Sequence, residues 1–163
     1  MTNAKWGPMT RTTALLLILG VAGCNVGGAT SKPDLSGTWV LDLSRSTLDI
    51  VPPDSTIFVI DHSEPFLTAK RTHILDGVVN VVDTRFTTDS ALTAVEVSGL
   101  EIPTRVHWDG DVLILEQEWS RGGVLITNLV RYTLEDEGRT LVADEYMQAG
   151  PDGHHNVWVF RRR

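Results

Sequence analysis

Two adjoining runs decide how the chain folds: Val112-Leu113-Ile114-Leu115-Glu116-Gln117-Glu118-Trp119 and, after Gly122-Gly123, Val124-Leu125-Ile126-Thr127-Asn128-Leu129-Val130-Arg131-Tyr132. Successive side chains of a strand point to opposite faces. In the first run Leu113, Leu115, Gln117 and Trp119 share one face, while Val112, Ile114, Glu116 and Glu118 share the other. The run therefore begins apolar on both sides and ends amphipathic. In the second, Val124, Ile126, Asn128, Val130, Tyr132 and Leu134 oppose Leu125, Thr127, Leu129, Arg131 and Thr133. Neither half suits a sheet with one face in water. Gly122-Gly123 supplies the positive-φ residue that a tight hairpin needs.

Outward from this hairpin the pattern repeats in both directions. Strands are expected near 37–43, 56–62, 65–74, 77–87, 92–98, 102–108, 111–119, 123–134, 140–148 and 155–162, with no amphipathic helix after Pro33. Asp76-Gly77, Asp109-Gly110, Glu137-Gly138 and Asp152-Gly153 are the other expected hairpin turns. Consecutive hairpins make an all-β, antiparallel, up-and-down meander. So many short strands must dispose of their edges, and closure into an 8–10-stranded barrel does so completely. A β-sandwich is the alternative, although sandwiches usually require Greek-key crossings. The one long irregular stretch, Ser44 to Ser55 with Pro52-Pro53 near its end, would lie across one mouth of a barrel.

Length and charge narrow the classes. The 163 residues allow one domain of ordinary size. Lys plus Arg number 14 against 21 Asp plus Glu, a formal charge of −7, which suits neither DNA nor RNA. A single cysteine excludes an intrachain disulfide and any zinc site built on several thiolates. From Met1 to Cys24 there is no acidic residue, Lys5 and Arg11 are the only charges, and the apolar run Ala14 to Leu19 is too short to span a bilayer. This is the composition of a secretory signal, starting at Met1 or Met9.

Val21-Ala22-Gly23-Cys24 resembles the lipobox of bacterial lipoproteins. The resemblance implies cleavage between Gly23 and Cys24 and a diacylglycerol thioether on Cys24, which would anchor the protein to a membrane without spanning it. The expected organisation is a signal peptide over 1–23, a lipidated N-terminus and tether over 24–33, and a barrel over 34–163. Without residues 1–23 the balance is 12 basic against 21 acidic residues, or −9. Asn25 stands where Asp often signals inner-membrane retention in enterobacteria, so for a didermic bacterium the resemblance implies the outer membrane, facing the periplasm; the protein is expected to be a monomer.

Gly37-Thr38-Trp39 is similar to the Gly-x-Trp element opening the first strand of lipocalins and related calycin barrels. There the tryptophan plugs the closed end under an arginine of the last strand. Here that implies a barrel-closing pair of Trp39 with Arg161 or Arg162. Leu35 to Trp39, Trp108-Asp109-Gly110, Tyr132 to Leu141 and the terminal Val159-Phe160-Arg161 also resemble lipocalin-like lipoproteins of uncharacterised function from environmental bacteria. The second lipocalin motif is missing; Thr88-Asp89-Ser90 is its nearest counterpart.

No catalytic constellation emerges. His62, His73, His107, His154 and His155 are dispersed without paired-ligand spacing, so neither a metal nor another cofactor is expected. No serine sits in a Gly-x-Ser-x-Gly elbow, and the carboxylate pairs Glu116/Glu118 and Asp144/Glu145 read as solvated faces. The chain is not expected to be an enzyme. Polar residues alternate with apolar ones at Arg71/His73, Asp83/Arg85, Arg105/His107, Arg131 and Asp144/Tyr146. Facing inward they would make a mixed cavity for an amphiphile, and facing outward they would form cross-strand ion pairs. Trp119, Arg131 and Tyr146 are the candidates for lining it. The expected function is binding a small apolar or amphiphilic molecule inside a barrel. The rival is a structural lipoprotein with a filled barrel and a protein partner, and a cavity of a few hundred Å³ would separate the two.

Overall fold

A computed structural model describes residues 31–97 and 99–163. The signal segment, the Val21–Cys24 motif and residues 24–30 of the tether lie outside them. The strands are β1 (Gly37–Leu41), β2 (Thr47–Leu48), β3 (Ser55–Ser63), β4 (Phe66–Leu75), β5 (Val78–Thr87), β6 (Thr93–Val97), β7 (Leu100–Asp109), β8 (Val112–Arg121), β9 (Val124–Glu135), β10 (Thr140–Ala149) and β11 (Asp152–Arg162). Every ladder is antiparallel, in the order β5-β4-β3-β1-β11-β10-β9-β8-β7-β6, with the short β2 added to β11. First and last strands join through Trp39 opposite Arg162, which turns the meander into a ten-strand barrel.

Closure is nearly complete. Among the described residues β5 and β6 are not paired, and the seam between them is crossed by backbone pairing only near one end, where Asp89 bridges His107 and the Ser90 N–H donates to the Val106 carbonyl at 3.0 Å. Strand parity sets the interior. Leu113 and Val130 are buried core residues, and Leu115, Tyr132 and Leu134 pack against them, as the alternation of the central hairpin requires.

One end of the barrel is closed. Trp39 is fully buried, its indole N–H donates to the Leu35 carbonyl at 2.9 Å, and the Arg162 guanidinium lies 4.4 Å from the ring centroid. Of the two arginines the sequence offered, Arg162 takes the stack, while Arg161 pairs with Asp42 at 3.0 Å. The physical reason is register: Arg162 is the residue opposite Trp39, and Arg161 points to the other face. Gly37, at φ 141°, lets the guanidinium pass within 3.5 Å of where a Cβ would stand.

The same end carries a knot centred on Glu64. Its carboxylate accepts from His62 Nε2 at 2.9 Å, Thr88 Oγ1 at 2.6 Å and the Trp108 indole N–H, tying the β3–β4 turn to the chain beyond β5 and to β7. Burial pushes this carboxyl up, but the hydrogen bonds from Thr88, His62 and Trp108 together outweigh it, and the net shift is downward. Lys32 docks beside it, donating to the Gly110 carbonyl at 2.7 Å, so the described chain enters at the closed end.

Two local expectations change. The β10–β11 turn is built on Gly150 at φ 57°, not on Asp152-Gly153, because β11 already begins at Asp152. Ser44 to Ser55 is also not free of structure: Thr47 and Leu48 pair with Val157 and Asn156, and Asp49 is fastened on both sides of that contact. The Asp49 N–H donates to Asn156 Oδ1 and its carboxylate accepts from the His155 N–H, both at 2.9 Å. The stretch is a strap fixed to the barrel by backbone and side-chain hydrogen bonds that sequence periodicity does not encode.

Candidate functional site

Between the strap and the middle of the barrel lies a cavity of about 300 Å³. The inward residues of four strands build it: Thr56 and Phe58 from β3, Arg71 and His73 from β4, Val130 and Tyr132 from β9, Ala143, Glu145 and Met147 from β10. β11 adds His154, Trp158 and Phe160, and the strap contributes Ile50. Most of this surface is apolar, with a few convergent polar groups, which is the usual make-up of a small-molecule pocket.

Most of those polar groups already have partners. The Glu145 carboxylate accepts from the Trp158 indole N–H at 2.8 Å and from Asn156 Nδ2 at 2.9 Å. Thr56 Oγ1 and His73 Nδ1 are 2.9 Å apart. Burial, and then the nearby Arg71 charge, pull His73 below the ordinary histidine range, so its ring is neutral near pH 7. Arg71 differs from these. Among the described residues no carboxylate lies within ion-pairing distance of its guanidinium and no side-chain hydrogen bond engages it.

Tyr132 stands close to Arg71 and Glu145 electrostatically. Burial, and then the Glu145 charge, push its phenol up to about 12 against the opposing pull of Arg71. The hydroxyl is thus a neutral donor at any physiological pH. An unpaired cation in a half-enclosed, largely apolar chamber can receive an acidic group, since a charged acceptor gains more from each hydrogen bond than a neutral one.

The residues singled out from the sequence fall elsewhere. Arg131 and Tyr146 are on the outer face: Arg131 lies 5.9 Å from the Tyr146 ring centroid, and Tyr146 is exposed and stacks on His155 at 4.1 Å. Each is one residue out of phase with the cavity, next to Val130 and Tyr132 in β9 and to Glu145 and Met147 in β10. Trp119 shares the inward face of β8 but stands beyond the cavity, opposite Ile126. Of the alternating polar residues only the β4 pair, Arg71 and His73, lines the chamber. Asp144 faces out and pairs with His155 at 2.6 Å, and His107 lies 4.0 Å from Glu116. Among the described residues no group of three His, Cys, Asp or Glu converges as a metal site would require. The signal for Arg71 was present in the alternation of β4, but its direction depended on register with β3, where it sits opposite Phe58.

No protein-family model matches the chain, and no curated protein matches it. Solved structures do. The zebrafish ileal bile acid-binding protein complexed with cholic acid aligns over 79% of this chain and 98% of its own, with 14% identity and a TM-score of 0.57. Lipid binding protein 8 of Caenorhabditis elegans aligns over 79% and 95%, with 12% identity and a TM-score of 0.56. Secretory abundant heat soluble protein 4 of Ramazzottius varieornatus aligns over 82% and 97%, with 16% identity and a TM-score of 0.57. At such identities the likeness is one of fold. The chain shares the antiparallel β-barrel fold of these structures.

Proposed function

We propose that the protein is a lipid-anchored component of the bacterial cell envelope whose barrel binds a small amphiphile through an acidic head group. The observation that carries the binding reading is the unpaired Arg71 guanidinium lining an otherwise largely apolar cavity of about 300 Å³. Arg71 is exposed to solvent while lining the cavity, and a cavity walled with Phe58, Val130, Trp158 and Phe160 favours an anion that brings its own apolar body. A filled barrel, the rival reading, has no use for such a volume. Two of the structural neighbours, a bile acid-binding and a lipid-binding protein, lend support by analogy of fold.

Anchoring rests on the Val21–Cys24 motif. The binding reading is tested by titrating the protein with decanoate and with decanol. A charge-assisted hydrogen bond is worth about 1.5–3 kcal/mol, so decanoate should bind at least about tenfold more tightly, and Arg71→Gln should abolish the preference while sparing the alcohol. Equal affinity for acid and alcohol in the unaltered protein, or no binding of either, refutes it.

A further inference from the structure

Below the main chamber, toward the closed end, lies a second void of about 40 Å³. Its walls are Leu67, Phe86, Val106, Leu113 and other apolar side chains, with no charged group among them. Phe58 and Tyr132 line both spaces, so these two rings are the partition between them. The Phe58 ring is held edge-on against the fully buried Phe160, with centroids 5.2 Å apart, which fixes its position from one side.

We propose that Phe58 and Tyr132 form a floor that sets the depth to which a ligand enters, and that Phe58 is the residue determining its size. The inference rests on reading the upper cavity as a ligand chamber. Arg71 is exposed, so an acidic head group meets its guanidinium at the open side of the chamber and the apolar body points down onto the Phe58–Tyr132 floor. Taking about 30 Å³ for each water-sized group, the upper chamber holds about ten such groups and the lower void one or two. The protein thus selects compact or medium-chain amphiphiles. The lower void is a latent extension that opens when the Phe58 ring is removed.

The test is a series of straight-chain carboxylates from six to eighteen carbons, titrated against the full chain and its Phe58→Leu and Phe58→Ala variants. While room remains, each added methylene raises affinity about fourfold. The unaltered protein should reach its plateau near ten carbons, with Phe58→Leu extending the rise by one or two and Phe58→Ala by several more. A common plateau in all three proteins overturns the floor and leaves the ligand chamber standing. Binding of no member by any of them overturns the chamber. In that case the floor is judged separately by xenon-induced shifts of methyl resonances. Phe58→Leu should gain a xenon site felt at Leu67, Val106 and Leu113 that the unaltered protein lacks, because enlarged apolar cavities stay dry and take up xenon. Unchanged shifts at those methyls overturn the partition itself.

Discussion

Replacing Trp39 by Phe should destabilise the barrel by about 3 kcal/mol. The indole is fully buried and its N–H donates to the carbonyl of Leu35, itself only 2% exposed. Phenylalanine cannot donate, and an acceptor left unpaired in the interior costs about 1–3 kcal/mol. The smaller ring also leaves space that so tightly packed a site cannot fully collapse, adding about 1–2 kcal/mol. The Arg162 cation, 4.4 Å from the ring centroid, keeps an aromatic face beneath it, so the cation–π contribution is largely retained. At about 3–5 °C per kcal/mol for a domain of this size, the melting temperature should fall by about 10–15 °C. Urea unfolding followed by far-ultraviolet circular dichroism measures the loss directly. A change below about 1 kcal/mol would mean that Trp39 does not plug the closed end, and the account of barrel closure would fail.

Three other outcomes are expected. Because the Glu64 pKa is lowered on folding, its contribution is present above the unfolded carboxyl range and lost as pH falls through the folded value, so the urea midpoint should drop on acidification below about pH 4.5. Glu64→Gln should flatten that dependence and cost about 1 kcal/mol at neutral pH, a modest figure because the side chain is 40% exposed. The chain has two tyrosines, and ultraviolet titration should show Tyr132 ionising near 12, a step absent in Tyr132→Phe. A phenol with a raised folded pKa stabilises below its unfolded value, so stability should decline as pH rises from about 10 through 12. Cys24→Ser should move the protein from the membrane fraction to the soluble one, and unchanged partitioning would refute the lipid anchor.

The ten main strands, their order and their alternation were legible because hairpins are local: alternation and a glycine turn are written into about twenty consecutive residues, as at Val112 to Tyr132. The Gly37-Thr38-Trp39 element and the terminal arginines likewise foretold which strands meet. The site was legible only in part. Alternation separates two faces but does not say which one is inside once both carry polar residues, so Arg71 and Arg131 read alike in the sequence. Pairing of Arg71 with Phe58 turned one inward, and pairing of Arg131 with Asp144 turned the other out. The Glu64 knot, which joins His62, Thr88 and Trp108, includes a Glu64–Trp108 bond across 44 positions, beyond the reach of any local pattern.

The sequence by itself determined a meander of short antiparallel strands, because side-chain period and turn chemistry act over a few residues. Only the tertiary structure decided that the barrel keeps a chamber, that a strap covers it and that a single unpaired arginine faces into it. Those properties depend on the volume left when five separate strands and a loop meet, and that volume is a property of packing rather than of any segment.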